Sequence, residues 1–130
     1  MEKVKDELIE KELKKNEVEA AEIIQDVDKT KDFLLKLEEK LKDIPLVGDA
    51  LSNVPTLISL VRDYVNKEYP DPPVGTIVAI VAALLYLLAP VDLIPDVIPG
   101  IGYLDDAAVI AFCLKQVGDD VVAYKQWRNL

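Results

Sequence analysis

A chain of 130 residues has the length of one ordinary domain, and an apolar content of 51% is too high for a disordered chain. The formal charge of −9 argues against nucleic acid as a partner, because phosphate binding needs a basic surface. The chain has no histidine and therefore lacks the commonest general base near neutral pH. We expect a single domain over residues 1–130, with charged amphipathic helices at 1–54 and a helical core at 55–130.

The amino-terminal part has the apolar spacing of one or two amphipathic helices. Apolar residues recur every seven positions, with a second row three places later: Leu13, Ala20, Val27, Leu34 and Leu41, then Ile23, Leu37 and Ile44. Asn16 and Thr30 interrupt the second row, which favours packing within a bundle over a sustained coiled coil. The polar segment at 26–32 offers Asp28 or Thr30 as an N-cap, where the helix bends or restarts.

A connector at 43–55 separates these helices from the next one. Pro45 and Gly48 interrupt the helical pattern, and Asn53 with Pro55 marks the start of the following helix. Apolar side chains then follow at helical spacing: Leu57, Ile58, Val61, Tyr64 and Val65. We expect the prolines within 70–73 to end this helix.

The segment 74–91 contains 18 residues without a charge, which is the lower limit for a membrane span. Pro90 should close the helix, and the 16 residues before it rise only about 24 Å, against a hydrocarbon core of about 30 Å. A helix that is apolar on every side also suits the centre of a bundle. We therefore favour a buried helix at 74–89, covered by the apolar faces at 34–44 and 57–65, with membrane insertion as the alternative.

The connection at 90–106 combines residues that restrict and residues that widen backbone freedom. Pro90, Pro95 and Pro99 fix φ, whereas Gly100 and Gly102 allow conformations that a β-carbon forbids. Such a composition suits a tight reversal after a buried helix. We expect the next helix to run from about 103 to at least 117 and to pack antiparallel to the helix at 74–89.

Four aspartates lie in this connection: Asp92, Asp96, Asp105 and Asp106. Carboxylates near a helix start accept hydrogen bonds from free backbone N–H groups, so all four can serve as caps. Their oxygen atoms would also suit calcium or magnesium, although the spacing matches no EF-hand. Paired carboxylates can act as general acid and base, but no substrate clamp accompanies them. We favour capping and expect neither catalytic residues nor a cofactor.

Two residues of the last helix and the first residues of the chain bear on function and location. Cys113 lies among apolar neighbours, which favours a packing residue over a reactive thiolate. Trp127 is expected to pack against an amino-terminal helix, with anchoring at a membrane surface as the alternative. The charged first fifteen residues do not resemble a secretory signal, and one cysteine forms no internal disulfide, so we expect a cytoplasmic location.

The segment 83–117 closely resembles the YkvA-type domain of unknown function. The matching residues are Tyr86, Pro90, Asp92, Pro95, Asp96, Pro99, Gly102, Tyr103, Asp105 and Asp106. The similarity extends over about residues 64–128 and leaves 1–55 unaccounted for. The resemblance implies a small, mostly helical domain, often regarded as membrane-associated, with no established reaction, substrate or cofactor.

Together these patterns predict an all-α bundle of four to five helices around a buried apolar helix at about 74–89, in an antiparallel hairpin with about 103–117. The favoured function is a non-enzymatic interaction or scaffold domain, with a protein partner or self-association. One alternative is a membrane-associated module that uses the apolar 74–91 segment or Trp127. The other is a divalent-cation-binding domain at the aspartate-rich loop 92–106.

Overall fold

The computed structural model describes residues 2–43, 45–46, 48–69, 72–88 and 106–128. These residues form helices and no strand: α1 (Glu2–Ile24), α2 (Val27–Leu41), α3 (Gly48–Leu51), α4 (Val54–Val65), α5 (Val74–Leu88) and α6 (Asp106–Arg128). Because α3 is a single turn, five helices of twelve residues or more build the bundle. The predicted all-α bundle is confirmed.

The restart predicted between the first two helices occurs at residues 25–26. Asp26 has an extended backbone and caps α2, because its Oδ1 accepts a hydrogen bond from the backbone N–H of Asp28 at 2.9 Å. The prediction of Asp28 or Thr30 as the N-cap is therefore wrong. The buried Thr30 hydroxyl instead lies 2.7 Å from the carbonyl oxygen of Ile23 and ties the end of α1 to the first turn of α2.

The apolar rows of α1 and α2 point mainly into the core. Buried members of the predicted rows are Leu13, Ala20, Leu34, Leu37 and Leu41. Val27 is exposed because it occupies the first position of α2, directly after the break, and Ile23 is half-buried. Ile44 lies outside the described residues.

The helix predicted after Asn53 begins where expected, although the Asn53 side chain does not cap it. Its end has a different cause from the one predicted. Lys67 adopts a left-handed conformation with φ of 64°, and the backbone N–H of Asn66 closes the last turn on the carbonyl of Arg62. The helix has therefore ended before the prolines within 70–73 are reached.

α5 is the core helix of the bundle, as predicted. Its buried side chains are Thr76, Ile77, Ile80, Val81, Ala82, Ala83, Leu84, Tyr86 and Leu87. α1, α2, α4 and α6 all contact α5, and the contact with α1 is the most extensive. The predicted covering faces belonged to α2 and α4, so the major part played by α1 is a correction.

α6 packs antiparallel to α5. Near the start of α5, the Thr76 hydroxyl donates to Asp120 Oδ2 at 2.5 Å, and further along, the Cys113 thiol lies 3.9 Å from the carbonyl oxygen of Ala79. Positions that advance along α5 therefore recede along α6, which confirms the antiparallel hairpin. α6 continues without a break through Gly118 to its end, and residues 103–105 of its predicted start lie outside the described part.

Candidate functional site

Most residues of the predicted site fall outside the described part of the chain: Pro90, Asp92, Pro95, Asp96, Pro99, Gly102, Tyr103 and Asp105. Tyr86 is buried in α5, and Asp106 is the first residue of α6, in agreement with its predicted place in a first helical turn. Within the ranges that the structure describes, no group of three acidic or cysteine side chains is placed to hold a metal ion. For the loop 92–106, capping and cation binding both stay predictions.

A buried polar network that the sequence analysis missed joins α4 to the end of α6. Asp63 is only 6% exposed, and its Oδ2 accepts hydrogen bonds from the Tyr124 hydroxyl at 2.7 Å and from Arg128 Nη1 at 3.1 Å. The Ser59 hydroxyl lies 2.5 Å from the Tyr124 hydroxyl. The charge of the buried Asp63 is therefore compensated by the buried Tyr124 phenol and by the partly exposed Arg128 guanidinium.

The protonation state of Tyr124 indicates a structural role for this network. Burial raises the pKa of Tyr124, the hydrogen bond from Ser59 lowers it, and the hydrogen bond to Asp63 raises it. Because the pKa moves upward, Tyr124 keeps its proton at neutral pH and donates to Asp63. It is therefore unsuited to take a proton from Ser59, and we assign the network to holding α6 against α4.

Cys113 is a buried residue of α6, as predicted, and burial raises the pKa of its thiol from 9.0 to about 12. We expect folded protein to resist alkylation, because this shift alone lowers the thiolate fraction at pH 8 about a thousandfold. Mass spectrometry after iodoacetamide treatment, with and without urea, measures the two rates. Equal rates in folded and unfolded protein would show that the thiol is accessible and reactive.

Three aromatic rings meet where α6 ends. The ring centroid of Tyr69 lies 5.1 Å from that of Tyr124 and 4.7 Å from that of Trp127, and the Tyr124 and Trp127 centroids lie 5.9 Å apart. Tyr69 belongs to the α4–α5 connection. The expected packing of Trp127 against an amino-terminal helix is therefore corrected: its ring partners are this connection and α6 itself.

Three large apolar side chains stay exposed at this end of the bundle: Val74 at 58%, Val122 at 54% and Trp127 at 47%. Thr76, two residues after Val74, is bonded to Asp120, which precedes Val122 by two residues. Tyr69, shortly before Val74, contacts Trp127. All three residues thus lie where α5 begins and α6 ends, with Val122 and Trp127 on different sides of α6 because they are five positions apart. We call this set (Val74, Val122 and Trp127) the apolar end.

The sequence analysis gave membrane insertion of the apolar segment as an alternative, and the length and hydropathy of the helices test it. Among the helices of the described residues, none has both the length and the hydropathy to cross a bilayer.

Comparison with known proteins places the chain in a family. The family described as "Protein of unknown function (DUF1232)" matches residues 76–112. The chain is also similar to the "Uncharacterized membrane protein YkvA" of Bacillus subtilis (strain 168), with 37% identity over 78 residues, which are 60% of this chain and 74% of that relative. No solved structure matches the chain. The chain therefore belongs to the YkvA-like (DUF1232) family of domains of unknown function.

Proposed function

We propose that this chain is a non-enzymatic interaction domain that binds a membrane surface through the apolar end. The observation that carries the proposal is the exposure of Val74, Val122 and Trp127 on one end of a bundle whose most apolar helix, α5, is buried. Exposed apolar side chains at one end of a bundle are candidates for an interaction site. The relative from Bacillus subtilis is named a membrane protein, which agrees with a lipid partner.

The composition of this end suits the boundary between lipid and water. Tryptophan favours that boundary because its ring is largely apolar while its N–H can still bond to water or headgroups. Lys125 and Arg128 lie in the same last turn of α6, where Lys125 donates to Asn53 Oδ1 at 2.8 Å and Arg128 donates to Asp63. Contacts with Tyr69 and Tyr124 hold the Trp127 ring in place, so little side-chain entropy is lost on binding.

The reactive groups of the core support a non-enzymatic role. Burial raises the pKa of the Cys113 thiol and of the Tyr124 phenol, so both stay protonated at neutral pH. Both side chains contribute to packing between helices instead. The protein partner or self-association that the sequence analysis favoured is the second candidate for such an interaction domain.

Trp127 is the only tryptophan of the chain and therefore reports its own environment. We expect phosphatidylcholine vesicles to shift its fluorescence emission to shorter wavelength as the ring leaves water. Trp127→Ala should weaken vesicle partitioning at least about tenfold, because burying roughly 100 Å² of ring at about 25 cal/mol per Å² contributes about 2.5 kcal/mol. Partitioning of both proteins is measured by vesicle flotation.

The matched control is Leu35→Ala, which removes an exposed side chain of α2 and should leave partitioning unchanged. Val122→Asp provides a second test, because it puts a charge into the apolar end and keeps the fluorescent ring. We expect Val122→Asp to abolish the emission shift. Vesicles that leave the emission of the parent protein unchanged, or that bind Trp127→Ala equally well, would refute the proposal.

A further inference from the structure

α1 makes the most extensive contact with α5, and the described part of its inner face mixes polar with apolar side chains. Its buried residues include Ile9, Leu13 and Ala20, together with the carboxylate of Glu12. The Asn16 amide also faces α5, donating to the carbonyl oxygen of Ala82 at 3.1 Å. In contrast, the buried residues of α2 are mainly large and apolar: Phe33, Leu34, Leu37 and Leu41, with Thr30. Leu8, Ile23 and Ile24 also pack against the core, so what distinguishes the described part of α1 is the polar groups of Glu12 and Asn16 in its contact with the bundle.

Glu12 opposes the docking of α1. Glu12 is 6% exposed, and among the described residues its Oε1 pairs with the Lys15 ammonium, three residues away on the same helix, at 3.4 Å. Oε2 is buried without a hydrogen-bond partner among the described residues. A carboxylate oxygen gives up its bonds with water on burial, and none of the described residues replaces them for Oε2. Release of α1 would return this oxygen to water.

The packing of α1 against α5 and α6 also leaves a groove at the surface. A groove of about 80 Å³ lies between α1, α5 and α6, and Leu13, Ala79, Ala82 and Phe112 are among the residues that line it. α1 contacts α6 only slightly and is joined to the rest of the chain at the helix break of residues 25–26. The other helices can therefore keep their mutual contacts if α1 swings away.

We propose that α1 is a cover that can be released from the bundle. Its release exposes the face of α5 around Ala79 and Ala82, and this face is a second lipid-binding surface. No side chain of α5 carries a charge, so the uncovered face suits acyl chains. This inference rests on the proposed membrane-surface function. Binding through the apolar end brings the bundle to the lipid, and release of α1 then adds apolar contact.

Hydrogen exchange of the full chain, followed by mass spectrometry, tests the release of α1 without lipid. We expect α1 amides to exchange at least about tenfold faster than those of α4 and α5, because α1 opens without global unfolding. Glu12→Leu should slow the exchange of α1 about tenfold, since it replaces the unpartnered carboxylate by an apolar group. Glu19→Leu, at an exposed position of the same helix, should leave that rate unchanged.

Phosphatidylcholine vesicles then test the lipid surface. We expect vesicles to speed exchange in α1 and slow it in α5, and we expect Glu12→Leu to weaken both effects. Equal exchange rates in α1 and α5 without lipid, or a rate in α1 that Glu12→Leu does not change, would overturn the releasable cover. If vesicles shift the Trp127 emission but leave exchange in α1 unchanged, this inference fails and the proposed function stands. If vesicles do not shift the emission, the proposed function itself fails.

Discussion

Leu84→Ala is expected to lower the free energy of unfolding by about 3 kcal/mol, because the substitution loses apolar transfer energy and leaves a cavity. Leu84 is 0% exposed and lies on α5, which four other helices contact. A close-packed protein interior relaxes only partly into the space that the missing atoms leave. Urea unfolding followed by far-UV circular dichroism measures the change, with the slope of the transition compared between the proteins to verify two-state behaviour.

The control for this substitution is Leu35→Ala on α2. Leu35 is 66% exposed, so the same removal of atoms should change the free energy of unfolding by less than about 0.5 kcal/mol. The difference between the two variants isolates burial from the chemistry of the leucine side chain. Similar effects in both variants would mean that α5 is not enclosed in the way the structure shows.

Asp63→Ala is expected to lower the free energy of unfolding by about 2 kcal/mol. The substitution removes the acceptor of the Tyr124 hydroxyl and of the Arg128 guanidinium, and leaves the buried phenol with Ser59 as its remaining side-chain partner. The value is lower than for a fully buried ion pair because the Arg128 side chain is partly exposed to water. Urea unfolding again measures the change in the free energy of unfolding.

Asp32→Ala is the matched control, because Asp32 also pairs with a cation, Lys36, at 3.1 Å, but at the surface. We expect a change of less than about 0.5 kcal/mol for this exposed pair. Combining Asp63→Ala with Tyr124→Phe should cost less than the sum of the two single substitutions, since both remove the same hydrogen bond. Additive effects would show that the network is not a unit.

The main features of the core follow from simple patterns in the sequence. A long uncharged run bounded by Pro73 and Pro90 leaves little choice for the position of α5, and a short connection after it favours an antiparallel neighbour. The inner face of α2 was also predictable, because its apolar residues repeat at helical spacing while charges occupy the remaining positions.

Other features depend on the packing between helices and were missed for that reason. Asp26, Asp28 and Thr30 all have side chains that favour an N-cap. Asp26 is the cap because its backbone is extended and its side chain accepts from the N–H of Asp28, whereas the Thr30 hydroxyl turns inward to Ile23. The importance of α1 was underestimated because charged and polar residues, Glu12 among them, share its inner face. Local sequence does not tell which charged side chain of a helix is buried.

The network around Asp63 could have been predicted in part from the sequence. α4 is an apolar helix with only two charged residues, and a carboxylate in such a helix requires a partner when it is buried. Tyr124 and Arg128, four residues apart on α6, present a donor and a cation on one face. The contact between Tyr69 and Trp127, however, depends on the path of the α4–α5 connection, which helical periodicity does not describe.

Methyl NOE spectroscopy of the protein in detergent-free solution tests whether α5 is enclosed by the other helices of its own chain. We predict NOEs from the methyl groups of Ile77, Ile80, Leu84 and Leu87 to side chains of α1, α2, α4 and α6. Without lipid, the state in which α1 covers α5 is the major one. Transient release of α1 therefore does not remove these NOEs. Methyl groups of α5 that show NOEs only within their own helix, or only to added lipid, would contradict this packing.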